Sequence, residues 1–141
     1  MALACAALVL AGLTAGCGSA PTPAAVLRSF AGDLDAGRWS AAAALTTGTP
    51  ATALAATYGA ARSALAATAV TTTPGALRTA GATATGALTT RVTSAALGTV
   101  TLPGTATVRK AAGGWRVAWE PTALDTALGP GDRIERRTTW P

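Results

Sequence analysis

The sequence predicts an α+β domain in which three N-terminal helices pack on a curved antiparallel sheet, and three observations carry that expectation. Apolar residues recur at helical spacing between residues 23 and 65, whereas from Ala69 onward threonine and valine alternate between glycine and proline punctuation. A last run, Gly113 to Pro121, holds two of the six aromatic residues of the chain in tight alternation. Helices first and strands afterwards is the order of a layered α+β fold. A chain of 141 residues allows one ordinary domain with one core. Half of the residues are hydrophobic but most of these are alanine, so the elements must approach closely to bury area.

The chain opens on an uncharged apolar run, residues 2–16, that ends at Cys17. This run is shorter than the ~20 residues of a spanning helix and fits the apolar region of a signal peptide. Leu13-Thr14-Ala15-Gly16-Cys17 resembles a bacterial lipobox, with small residues before a cysteine whose thiol would carry diacylglycerol. It departs from the commonest pattern at Thr14, where leucine is usual, and in having no Lys or Arg before the apolar run. Cys5 would leave with the signal, so a disulfide to Cys17 is not expected. Residues 1–16 are therefore read as a signal peptide, Cys17 as a lipidation site, and 17–22 as a linker.

Residues 23–135 form the domain itself. Thr22-Pro23 is an N-cap signal with proline in the first helical position. Leu27, Phe30 and Leu34 follow on one helical face, with Val26 and Ala31 beside them, and Gly37 closes the helix. Ser40 is expected to cap a short helix from Ala41 to Leu45, with Trp39 packing back on the first. Thr49-Pro50 repeats the cap signal ahead of a third helix whose apolar face carries Leu54, Tyr58, Ala61 and Leu65. Beyond it, Pro74-Gly75, Ala80-Gly81, Pro103-Gly104 and Gly113-Gly114 are expected to be turns. Between them Ala82, Ala84, Leu88 and Val92 share one parity, as do Val100, Leu102, Ala106 and Val108. Trp115, Val117 and Trp119 are expected inward on a final strand that ends at Pro121, with Arg116 and Glu120 outward. Leu124 and Leu128 stand one turn apart, followed by a turn at Gly129-Pro130-Gly131-Asp132. Residues 136–141 are expected to begin a continuation missing from this chain.

Few residues of the chain have the types and spacing that chemistry needs. A nucleophilic serine paired with a lysine one helical turn later needs Ser-x-x-Lys, yet the sole lysine, Lys110, has Thr107 three positions before it on an expected strand. The chain has no histidine, which removes Ser-His-Asp and Cys-His arrangements and histidine metal sites. Asp33, Asp35 and Tyr58 are the acid-base candidates on the helical side. The two aspartates should diverge and solvate the polar face of their helix, while Tyr58 belongs to the core. The formal net charge is +5, and its arginines are scattered singly apart from Arg109-Lys110 and Arg136-Arg137. A nucleic-acid binder would gather them into one stripe with aromatics between, so nucleic acid is not an expected partner. No catalytic, cofactor-binding or metal-ligating residue is assigned.

Three segments together carry a family resemblance: Phe30 through Trp39-Ser40-Ala41 to Thr46, then Gly114-Trp115-Arg116-Val117-Ala118-Trp119-Glu120-Pro121, then Leu128-Gly129-Pro130-Gly131-Asp132-Arg133-Ile134. Their order and spacing resemble the nuclear-transport-factor-2-like N-terminal domain of class B penicillin-binding proteins of the methicillin-resistance type. That resemblance implies a cone of three helices against a curved sheet with no activity of its own. In the family the domain stands between a membrane anchor and a transpeptidase domain that cross-links peptidoglycan and responds to beta-lactams. The expectation is thus a lipid-anchored, non-catalytic pedestal on the outer face of the cytoplasmic membrane, a fragment whose partners are the membrane, a missing transpeptidase domain, cell-wall polymers and division or elongation proteins. The alternative expectation is a free-standing exported lipoprotein that binds a small apolar ligand in the cone.

Overall fold

Helix α1 (Pro23–Asp35) is the element around which the others close, in a computed structural model that describes residues 18–137. The expected signal peptide and Cys17 lie outside the described residues, as do residues 138–141. The Thr22 hydroxyl caps α1 by accepting from the Ala25 amide at 3.2 Å, and Gly37, at φ +68°, stops it. Leu27 and Phe30 are fully buried, with Val26, Ala31 and Leu34 beside them. Phe30 is the largest of the fully buried side chains, and Leu27 and Leu34 rank with Leu54, Leu88 and Leu124 after it. The α1 side chains stand where a cone of alanines, valines and threonines would otherwise be hollow.

The α+β architecture expected from the sequence is the one observed: three helical segments on a strongly curled sheet of four antiparallel strands. The second segment is α2 (Trp39–Ala44), and the third is continuous from Ala51 to Ala64, built of α3 (Ala51–Leu54), a π-helical turn (Ala55–Gly59) and α4 (Ala60–Ala64). The π turn is wider than an α turn and lets the sequence neighbours Thr57 and Tyr58 both face the core. Two cap assignments are corrected. Ser40 lies inside α2, which begins one residue earlier at Trp39 without a side-chain cap. Pro50 is itself the N-cap of α3, and the Thr49 amide instead donates to the Thr46 hydroxyl at 2.9 Å.

The strands are β1 (Ala67–Ala80), β2 (Thr83–Ser94), β3 (Gly98–Ala111) and β4 (Gly114–Val117), and each pairs with the next as a meander. Ala84, Leu88 and Val92 of β2, and Leu102, Ala106 and Val108 of β3, turn to the helices as the parity predicts. Ala82 does not, because it sits in the exposed β1–β2 turn.

Two expected turns instead lie inside strands. Pro74-Gly75 lies within β1 beside a register shift between Pro74 and Leu77, and Pro103-Gly104 runs unbroken through β3 opposite Leu88 and Thr89. Their residues are those of turns, but what they supply is room. A Cβ on Gly104 would collide with the carbonyl of Ala123 and press within 2.8 Å of the Leu88 carbonyl oxygen. Here a 3₁₀ turn (Pro121–Ala123) drops onto the sheet, and the Thr126 amide donates to the Pro103 carbonyl at 2.8 Å. Leu124 follows that turn into the core, and Leu128 and Ile134 pack on its margin.

The last strand is shorter than expected. It ends at Val117, so Trp119 stands beyond it, and only Val117 is fully buried while Trp115 and Trp119 are half-buried on the margin of the core. One more bond to β3 follows, from the Ala118 amide to the Thr107 carbonyl at 2.8 Å, while the outer edge of β4 meets the helical half. The Val117 amide donates to the Leu45 carbonyl at 2.8 Å, and the Thr47 amide donates to the Val117 carbonyl at 3.0 Å.

Gly104→Ala should lower stability by about 2–3 kcal/mol, because the added methyl meets backbone atoms of two elements and no side chain can rotate away. Urea denaturation measures it. An unchanged midpoint would mean that the Pro121–Ala123 turn is not seated on β3.

Candidate functional site

The space between helices and sheet is where a cone fold would place chemistry, and its titratable groups come from three elements. Asp35 ends α1, Tyr58 lies on the π turn, and Arg62 follows one turn later on α4. Thr72 of β1 and Thr90 of β2 face them from the sheet, their hydroxyls 3.4 Å apart and buried.

The two aspartates diverge, as their spacing requires, but neither is simply solvated as expected. Asp33 pairs with Arg38 at 2.8 Å on the rim, where the guanidinium is well exposed. Asp35 turns inward instead: its Oδ2 accepts from the Thr72 amide at 2.9 Å, and its Oδ1 is buried without a hydrogen-bond partner. The expected solvation of the polar face therefore fails at Asp35, and at Asp33 an ion pair with Arg38 stands in its place. Asp35 satisfies an amide that points away from the β1–β2 ladder.

Arg62 was not among the sequence candidates, yet it binds the helices together. It donates to the main-chain carbonyls of Leu34, at 3.2 Å, and Asp35 at the end of α1, the Leu34 carbonyl also accepting from the Gly37 amide at 3.1 Å. Its guanidinium also lies 5.9 Å from the centre of the Trp39 ring. One cation thus touches α1, α2 and α4. The signal available in the sequence was its position four residues after Tyr58, one turn along the same helical segment. Thr72 and Thr90 could have been found from parity, since they share it with Val70 and with Leu88 and Val92 respectively.

Tyr58 is buried, as expected for a core residue. The Trp119 indole N–H donates to its hydroxyl oxygen at 3.4 Å, with the two rings tilted by 46°. Burial pushes the Tyr58 hydroxyl well above its ordinary pKa, the Trp119 hydrogen bond offsets part of this, and the nearby charge of Asp35 adds to the rise. A phenol so held stays neutral and is a poor base. The cavity lined by Leu34, Tyr58, Arg62, Val70, Thr90 and Leu124 has only about 10 Å³. That is close to the space one water needs.

Larger hollows lie outside the cone. A shallow groove of about 300 Å³ runs between the start of α1 and the β3–β4 turn, lined by Pro21, Val26, Leu45, Trp115 and Arg116 among others. A second of about 630 Å³ lies between the third helical segment and the C-terminal turn, with Trp119, Pro121 and Pro130 on one side and Ala53, Ala56 and Thr57 on the other. Among the described residues no group of three or more His, Cys, Asp or Glu side chains could hold a metal ion, and no helix is long and apolar enough to cross a membrane. Thr107 and Lys110 sit on opposite faces of β3, so they form no nucleophile-base pair.

Neither a family model nor a curated protein matches this chain. Among solved structures it is similar to a variant of Rv3472, described as a protein of unknown function from Mycobacterium tuberculosis. The two are 20% identical with a TM-score of 0.49, over 67% of this chain and 68% of that one.

Because the folded pKa of Tyr58 is raised, its contribution to stability is fully present below the unfolded tyrosine value of about 10 and is lost as pH rises above it toward the folded value. Stability should accordingly fall more steeply above about pH 10 in the parent protein than in Tyr58→Phe. Denaturation at a series of alkaline pH values checks this. Parallel profiles would mean that the hydroxyl is open to water.

Proposed function

We propose that this protein is an exported, lipid-tethered pedestal domain without catalysis of its own, acting beside a peptidoglycan transpeptidase on the outer face of the cytoplasmic membrane. One observation carries the reading: the interior of the cone is filled by its own side chains. About 10 Å³ remains there, against the several hundred Å³ of an ordinary small-molecule site, and Asp35, Tyr58 and Arg62 are occupied in joining helices to one another and to the sheet. This supports a structural role over the alternative of a lipoprotein with a small apolar ligand in the cone. The resemblance of the Gly114–Pro121 strand and the following Pro-Gly-Asp turn to penicillin-binding proteins supplies the transpeptidase, and the lipobox-like segment supplies the tether at Cys17.

Cys17→Ala should move the protein from the membrane fraction to the soluble fraction of the exported material, and unchanged fractionation would remove the tether. Affinity isolation of the full chain from membranes treated with a fluorescent penicillin should bring down a labelled protein or show the label on a longer product of the same gene. A thermal-shift screen with small apolar ligands is the counter-test: a specific rise in Tm would favour the ligand-binding reading, and no rise is expected.

A further inference from the structure

The eleven basic and six acidic side chains are divided unevenly over the fold. No Asp or Glu lies between Asp35 and Glu120, a span that includes the whole sheet. The six acidic residues are matched in number by Arg28, Arg38, Arg62, Arg133, Arg136 and Arg137. The entire net charge of +5 therefore resides on Arg78, Arg91, Arg109, Lys110 and Arg116 of the sheet.

Four of those five gather at one end of it. Thr83 pairs with Arg109 and Arg109 with Arg116, so the two arginines are direct cross-strand neighbours on the convex face. Lys110 pairs with Trp115 on the opposite face, at the exposed end of β3. Arg78 lies two residue pairs further in, across from Thr85. Like charges placed opposite one another on adjacent strands weaken a sheet. Among the described residues none of the four has a carboxylate partner, because the two ion pairs are Arg38–Asp33 and Arg133–Glu135. A cost to the fold with no internal compensation points to an outside partner of opposite charge.

The same end of the sheet is where the chain enters the domain. Pro21 lines one groove together with Gly113, Gly114, Trp115 and Arg116. Cys17 lies four residues before Pro21, a reach of at most about 14 Å. A membrane tether at Cys17 would hold this end against the headgroups. Trp115, half-buried at its rim, has the amphipathic ring that favours such an interface.

We propose that the strand ends bearing Arg78, Arg109, Lys110 and Arg116 bind anionic phospholipid headgroups and orient the domain on the membrane. The choice of a membrane over other polyanions rests on the tether proposed above. The surface itself can be tested without the tether, using the unlipidated full chain. It should partition more strongly onto vesicles of phosphatidylcholine mixed with phosphatidylglycerol than onto phosphatidylcholine alone. The apolar run contributes to both, so the ratio isolates charge.

At a factor of about five for each basic residue near the surface, Arg78→Gln/Arg109→Gln/Lys110→Gln should cut the ratio about a hundredfold. The charge-retaining Arg78→Lys/Arg109→Lys should keep it. Arg133→Gln/Arg136→Gln/Arg137→Gln, which removes the same charge elsewhere, should change it by less than about threefold if distance screens those groups. The proposal falls if both triple variants lose equally, if neither does, or if the sheet residues bind duplex DNA more tightly than the anionic vesicles. It stands or falls apart from the tether: unchanged fractionation of Cys17→Ala overturns lipidation, while an unchanged vesicle ratio in the sheet variant overturns the surface.

Discussion

A four-stranded meander leaves two edges with unpaired backbone groups, and here the helical half of the chain bonds to each. At β1 the closure is the Asp35 carboxylate on the Thr72 amide. At β4 it is the backbone of the loop after α2, which takes the Val117 amide and returns the Thr47 amide to the Val117 carbonyl. An open edge is a template for pairing with another chain, and a sheet this short in bulky side chains has little else to hold its curl. These contacts bind the helices to both margins of the sheet. Between the margins α1 fills the concavity with Leu27, Phe30 and Leu34.

Edge closure also decides what the interior can do. Asp35 and Tyr58 are groups that a cone-shaped enzyme would use, but one is committed to the edge of β1 and the other to Trp119. Arg62 is committed to the carbonyls at the end of α1. With the polar groups spent on architecture and the remaining space near that of one water, the outer surface becomes the place to look for function. That surface is polarised, with its excess positive charge at the end where the chain enters.

Much of the fold was legible in the sequence because its signals are local. The Thr22-Pro23 cap, the Leu27–Phe30–Leu34 face and the alternation in β2 and β3 each depend on residues close in the chain. Pro74-Gly75 and Pro103-Gly104 misled because glycine marks both a turn and a close approach, and only the distant Ala123 carbonyl shows which applies at Gly104. Trp115 and Trp119 have the parity of core residues, but the strand ends between them, so they cover the core margin. The inward turn of Asp35 was not legible. Its partner lies 37 positions away, across a register that sequence spacing does not fix. The basic cluster was hidden for the same reason, since Arg78, Arg109 and Arg116 come together only once the strands are paired. The acid-free stretch before Glu120 was the available clue.

Native-state hydrogen exchange at the Thr72 and Val117 amides tests this account most directly. If the helices close both edges, the two amides exchange only through global unfolding, as slowly as the amides of the central strands β2 and β3. Exchange at the rate of a frayed edge at either position, while the central strands stay protected, would contradict it.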